Sequence, residues 1–137
     1  MRHATLRKIV SLGAAIGLQS LSGCGGSGAE TLASNEPASF PGFYSIGPFT
    51  VSDGATISFN VQDRSTTTPD HWDIGIYSVV EWGYYSTGSP ATAYASASGV
   101  SNDSDSTSVP AGDYYLGFHC DNLVETCMVS IDLTVTP

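Results

Sequence analysis

Basic residues are almost missing from this chain. Lys and Arg number 4 in 137 residues; Arg2, Arg7 and Lys8 stand together at the N-terminus, and Arg64 is the only base after them. All 13 acidic residues lie at or beyond Glu30, so 13 acids against Arg64 leave a net charge of −12 once the first residues are removed. Such a body repels phosphate backbones and anionic headgroups, whose binding depends on Lys and Arg displacing counterions, and this excludes nucleic acid as a partner. Helical patterning is also scarce: beyond Phe40 no stretch of ten residues carries a clean apolar stripe at helical spacing. The longest N-terminal apolar run, Ile9 to Leu18, is too short to span a bilayer as a helix. No serine sits in a Gly-x-Ser-x-Gly elbow, and neither His71 nor His119 has a nucleophile arranged with it, so no catalytic residue is assigned and the chain reads as a non-enzyme.

What is present begins with an address. Met1 to Lys8 is basic, Ile9 to Leu18 is apolar, and small residues lead to Leu21-Ser22-Gly23-Cys24. That order is the order of a secretory signal peptide. The tetrapeptide resembles the lipobox of bacterial lipoproteins, which implies that residues 1–23 are cleaved and Cys24 becomes the lipidated first residue, anchoring the chain to a membrane. In that family an acidic residue just after the cysteine signals inner-membrane retention. Gly25 stands there, so the expected location is the outer membrane of a bacterial cell envelope. Residues 24–39, rich in Gly, Ser and Ala, read as a flexible tether, and residues 40–137 as a single domain.

With Cys24 assigned to lipid, Cys120 and Cys127 form an even pair in an exported chain, where a disulfide is the natural state. A zinc site would want closer spacing and more Cys or His ligands.

Between these features the chain shows the two-residue period of strands with one buried face. Ile57, Phe59 and Val61 alternate with polar residues, as do Trp72, Ile74 and Ile76, with Trp72 the best candidate for a large central core residue. Val79 and Val80 read as an extension of the latter strand. Ser52-Asp53-Gly54 reads as a hairpin turn, and Ala91 to Val100 as a strand near a sheet edge. The last quarter reads as a β-hairpin stapled by its disulfide: Tyr114, Leu116, Phe118 and Cys120 share one face of the first arm, and Val129, Ile131, Leu133 and Val135 one face of the second. Counting these segments predicts an all-β protein, a single antiparallel β-sandwich of about seven or eight strands, jelly-roll or immunoglobulin-like.

The run from Val109 to Phe118, Val-Pro-Ala-Gly-Asp-Tyr-Tyr-Leu-Gly-Phe, resembles the turn and strand of bacterial pre-peptidase C-terminal domains. Phe49-Thr-Val51, Ile57 to Val61 and Trp72 to Ile76 are similar to strands upstream in that family, so the likeness covers residues 43–136. It implies a small non-catalytic sandwich, appended to secreted enzymes or standing alone, that binds polymers or calcium. The chain departs from that pattern in its cysteine pair and in having no attached peptidase.

Three groups are candidate sites. Trp82, Tyr84, Tyr85 and Tyr94, in an aromatic loop or bulged hairpin near Glu81 to Pro90, offer ring faces for stacking on a glycan or a protein, against the alternative that Trp82 and one tyrosine cap the core. Asn102, Asp103 and Asp105, in an acidic Ser-rich segment, offer hard oxygens to Ca2+, against the alternative of a solvated loop; Asp70 and Asp73 offer the same elsewhere. His71, in Asp70-His-Trp-Asp73, has a carboxylate near enough in sequence to orient its imidazole, against the alternative of a plain polar residue entering a strand. No cofactor other than calcium is expected. The sequence thus supports a non-enzymatic envelope lipoprotein with a binding sandwich, or alternatively an accessory or inhibitor module of a secreted hydrolase.

Overall fold

Strands with one apolar face must bury it against a second layer, and this chain does so by weaving between two sheets. The computed structural model describes residues 28–66, 69–121 and 126–137, so the predicted signal peptide and Cys24 lie outside the described residues. Among the described residues eight strands and one short helix follow in order: β1 (Glu30–Phe40), β2 (Phe43–Val51), β3 (Ala55–Asp63), β4 (Trp72–Ser78), α1 (Val79–Tyr85), β5 (Ala95–Val100), β6 (Asn102–Val109), β7 (Gly112–Cys120) and β8 (Cys127–Thr136). One sheet has the order β1-β8-β3-β6 and the other β2-β7-β4-β5, every pair antiparallel. Consecutive strands lie in opposite sheets at every step except β4 to β5. This is the eight-stranded double-sheet winding of a jelly roll, which decides between the two predicted sandwiches.

The interior is built from the predicted alternating positions. Trp72, Phe118, Tyr44, Phe40 and Leu116 from β1, β2, β4 and β7 meet Ile57, Val61, Ile131 and Leu133 from β3 and β8, all fully buried. Phe40 stacks on Tyr44 with centroids 5.0 Å apart, and Trp72 meets Phe118 edge-on at 6.1 Å. Tyr114 closes one end of this core and donates its hydroxyl to the Pro110 carbonyl, 2.7 Å away.

Several sequence expectations are corrected. The last quarter is not a hairpin: β7 pairs with β2 and β4, β8 pairs with β1 and β3, and the Cys120–Cys127 disulfide therefore ties the two sheets together rather than two arms of one. Alternation reports that each strand buries one face, and it reads the same whether the next strand lies beside it or opposite it. The turn at Ser52-Asp53-Gly54 likewise carries the chain from one sheet to the other. Gly54 adopts φ +78° there and donates its N–H to the Val109 carbonyl.

The tether prediction fails for residues 30–39, which form β1 and pair with β8. Two register shifts interrupt the alternation, and Asn35 sits at φ 49° with its N–H bonded to Asp132 Oδ1 at 2.7 Å. Leu32, Ala33 and Phe40 are buried nonetheless. Val79 and Val80 do not extend β4 but open α1, and the first half of the expected aromatic loop, Glu81 to Tyr85, belongs to that helix. The polar run at 102–108 is β6, an edge strand in full register with β3. Its inward positions opposite Val61, Phe59 and Ile57 are Asp103, Asp105 and Thr107, and inward-pointing charge of this kind keeps an edge strand from recruiting another chain.

Candidate functional site

The outer face of the β2-β7-β4-β5 sheet is where the chain departs most from a simple polar exterior. On β4 the outward residues are Asp73, Gly75 and Tyr77; on β7 they are His119, Gly117 and Tyr115, and the antiparallel register sets them opposite one another in that order. Two glycines thus meet in the middle of the sheet. They leave a floor for aromatic rings: a Cβ on Gly117 would lie 2.2 Å from Trp82 Cζ3, and one on Gly75 would lie 2.7 Å from Tyr77 Cε2. Helix α1 lays Trp82 onto this floor. Ser78 caps the helix, its Oγ accepting the Glu81 N–H at 3.2 Å, while Glu81 Oε1 turns away to accept the Thr92 N–H at 2.7 Å.

The result is a second aromatic layer outside the sandwich. Trp82 is 7 % exposed and is ringed by Tyr77, Tyr85, Tyr115 and Phe43 with centroids 5.7 to 6.3 Å away. Tyr77 and Tyr85 stack at 4.8 Å. Burial pushes both phenols up, Tyr85 further because Tyr77 and the Asp73 carboxylate also stand beside it. The four predicted aromatics therefore do not form one platform. Trp82 is a buried anchor, Tyr85 is half-buried beside it, and Tyr84 is 50 % exposed on the helix. Tyr94 is 45 % exposed but lies apart, edge-on to Tyr114 at 5.5 Å.

At the disulfide end of the same face stand Asp73, His119 and Asp121. Each offers a donor atom, and these lie within 4.8 Å of one another; among the described residues this is the one such group of three His, Cys, Asp or Glu side chains. His119 Nδ1 is 3.6 Å from Asp73 Oδ2 and 3.7 Å from Asp121 Oδ1. The His119 ring tilts against Phe43 at 4.5 Å. Asp73 Oδ1 accepts the Gly99 N–H at 2.9 Å, where β5 bulges and Gly99 adopts φ +63°. Tyr85 Oη lies 3.5 Å from Asp73 Oδ2. Partial burial raises the Asp121 carboxyl above the ordinary range; the Asp73 charge adds to this and His119 and His71 oppose it. Chemically, this rim combines an imidazole and two carboxylates with adjacent ring faces.

The predicted calcium oxygens do not converge in the same way. Asp103 and Asp105 face inward at the sandwich edge, whereas Asn102 belongs to the opposite face and accepts the Asp63 N–H at 3.2 Å. Desolvation, then the Asp105 charge, raises the Asp103 carboxyl. Asp70 is 6 % exposed; it accepts the Met128 N–H at 2.9 Å and ties the loop before β4 to β8, so it does not join Asp73. His71 is exposed, and the imidazole beside Asp73 is that of His119. Sequence reasoning missed this pairing. The signal was available: Asp-x-Gly-x-Tyr on one strand and Tyr-x-Gly-x-His on another match when run antiparallel. Ser78-Val-Val-Glu81 likewise has the Ser-x-x-Glu spacing of a helix start.

No family model matches the chain, and no curated protein matches it. Among solved structures it is similar to a cleaved adhesin domain of Lys-gingipain from Porphyromonas gingivalis, at 15 % identity and a TM-score of 0.42, covering 69 % of this chain and 63 % of that one. It is also similar to the C-terminal CBM6 of LamC, a marine laminarinase from Zobellia galactanivorans, at 13 % identity and a TM-score of 0.44, covering 80 % of this chain and 100 % of that one.

Proposed function

We propose that this chain is a lipid-anchored protein of the bacterial cell envelope, held at the outer membrane through Cys24, whose jelly roll is a non-catalytic binding module. The observation that carries the reading is the Cys120–Cys127 disulfide between the two sheets. Structural disulfides persist in oxidising compartments, and the N-terminal pattern of basic, apolar and small residues ending in Leu-Ser-Gly-Cys24 independently directs export. The ligand surface is the outer face bearing α1. Exposed Tyr84, half-buried Tyr85 and Phe43, and the Asp73–His119–Asp121 rim offer ring faces beside hydrogen-bonding groups, a combination suited to a glycan or a polar protein segment.

Blocking lipoprotein signal cleavage with globomycin, or the change Cys24→Ala, is expected to leave the protein unprocessed and to keep it out of the outer-membrane fraction; unchanged processing and fractionation would refute the anchor. Binding is tested on a glycan array and by co-purification from envelope extracts, comparing the parent with Tyr84→Ala. Trp82 is unsuitable for this comparison because it supports the fold. A ligand retained by the parent and lost by Tyr84→Ala at unchanged melting temperature is expected, and a ligand bound equally by both would place the surface elsewhere.

A further inference from the structure

We infer that the rim formed by Asp73, His119 and Asp121 is a site for a divalent transition metal ion of the zinc class, held by one imidazole nitrogen and two carboxylate oxygens, with its remaining positions open to solvent.

The spacing is the first argument. Separations of 3.6 and 3.7 Å from His119 Nδ1 to the two carboxylate oxygens are beyond hydrogen-bonding reach. Two donors that each lie about 2.1 Å from a tetrahedral zinc ion are about 3.4 Å apart, so both imidazole–carboxylate pairs already stand near the separation of co-ligands, and the three donor atoms together lie within 4.8 Å of one another. The second argument is the support behind the donors. Asp73 and His119 are register partners on adjacent strands, which fixes them by backbone pairing rather than by a loop. Asp73 Oδ1 is taken by Gly99 N–H, leaving Oδ2 for the rim, and Tyr85 Oη stands beside that oxygen. Such partners orient ligating carboxylates in metal sites. The Asp121 N–H is bonded to the His71 carbonyl at 3.0 Å, the neighbouring Cys120 is in the disulfide, and Phe43 backs the imidazole.

The donor types select the ion. Calcium takes six to eight oxygens, while imidazole favours zinc, copper and nickel, so this rim differs in kind from the all-oxygen site expected on β6. The alternative is a surface ion pair in which a protonated His119 sits between two carboxylates and no ion binds.

The experiment is calorimetric titration of Zn2+ into the full-length chain, purified in detergent without a histidine tag, with Ca2+ in parallel. One saturable Zn2+ site is expected, weakened roughly tenfold or more by His119→Gln and by Asp121→Asn, since loss of an orienting partner alone costs that much. His71→Gln is expected to bind like the parent, and excess Ca2+ not to displace the ion. Both ligand variants should melt with the parent in the absence of metal, because neither side chain is in the core. Co2+ gives an independent readout, visible d–d bands that His119→Gln abolishes. Absence of saturable Zn2+ binding, equal affinity in His119→Gln, or displacement by Ca2+ would overturn the inference.

Discussion

Adding one methyl group at Gly117 should unseat the outer aromatic layer. In most strand interiors a glycine is less stable than alanine by roughly 0.5–1 kcal/mol because it loses more backbone freedom on folding, so Gly→Ala ordinarily helps. Here the added Cβ would lie 2.2 Å from Trp82 Cζ3 and 2.6 Å from Cε3, against the 3.4 Å at which ordinary contact begins. The indole must therefore retreat by at least 1.2 Å, the difference between 3.4 and 2.2 Å, and Tyr77, Tyr85, Tyr115 and Phe43 surround it. Overpacking of this kind costs about 1–3 kcal/mol, which outweighs the entropic gain and leaves a net loss of about 1–2 kcal/mol. For a domain near this size the melting temperature should fall by roughly 5–10 °C. The decisive measurement is a double-mutant cycle by chemical denaturation. Trp82→Ala removes the ring that the methyl strikes, so Gly117→Ala should turn neutral or mildly stabilising in that background, a coupling on the order of 2 kcal/mol. Fluorescence reports the same event, since Trp72 and Trp82 are the two tryptophans and only Trp82 should shift to the red. A Gly117→Ala variant as stable as the parent, with unchanged emission, would refute the packing argument.

Reduction of the inter-sheet disulfide, or Cys120→Ala with Cys127→Ala, should lower stability by about 2–3 kcal/mol, the chain-entropy value for so short a loop, measured by denaturation with and without reductant. Asp70→Ala removes the carboxylate that accepts the part-buried Met128 N–H and should cost about 1–3 kcal/mol by the same assay. Tyr44→Phe removes a buried hydroxyl that has no hydrogen-bond partner among the described residues, and should be neutral or stabilising. Burial pushes that phenol up to about 12, so the parent loses its contribution as pH rises through that value while Tyr44→Phe does not, which an alkaline denaturation series resolves. Desolvation raises the Asp103 carboxyl above its ordinary value, so its charged form opposes folding: its favourable contribution is complete below the ordinary carboxyl value and is lost as pH rises through the folded one. Asp103→Asn should thus melt slightly above the parent at neutral pH, by an amount typical of surface changes, within about 0.5 kcal/mol, and the difference should vanish in acid.

The strands with regular alternation were the legible part of this fold. Ile57, Phe59, Val61 and Trp72, Ile74, Ile76 announce their buried faces, and Trp72 occupies the core as its size and setting predicted. Partnership was not legible, because period two says which side is buried and nothing about whether the facing strand is beside or opposite; hence β7 and β8 read as a hairpin and lie in different sheets. β1 escaped notice because its bulges break the period twice within eleven residues of small and polar character. β6 escaped because its inward positions hold Asp103, Asp105 and Thr107 where a strand signal needs apolar residues. Helix α1, at seven residues, is too short to show an amphipathic stripe and was visible only in the Ser78 to Glu81 spacing. The rim of Asp73, His119 and Asp121 depends on strand register, a long-range property that local sequence does not carry.

The pairing of β1 with β8 has a mechanical consequence for the lipid-anchored reading. With the chain held at Cys24 and β1 starting at Glu30, residues 25–29 alone separate the anchor from the fold, and five residues at full extension span at most about 18 Å. The jelly roll would then ride close against the bilayer. Tension between a membrane and anything gripped on the far sheet enters along the axis of β1. An antiparallel ladder pulled along its length resists through many hydrogen bonds at once, in shear, whereas one pulled open from its end yields bond by bond. The first strand of the fold would therefore serve as the fastening through which a pull on the bound partner reaches the cell surface.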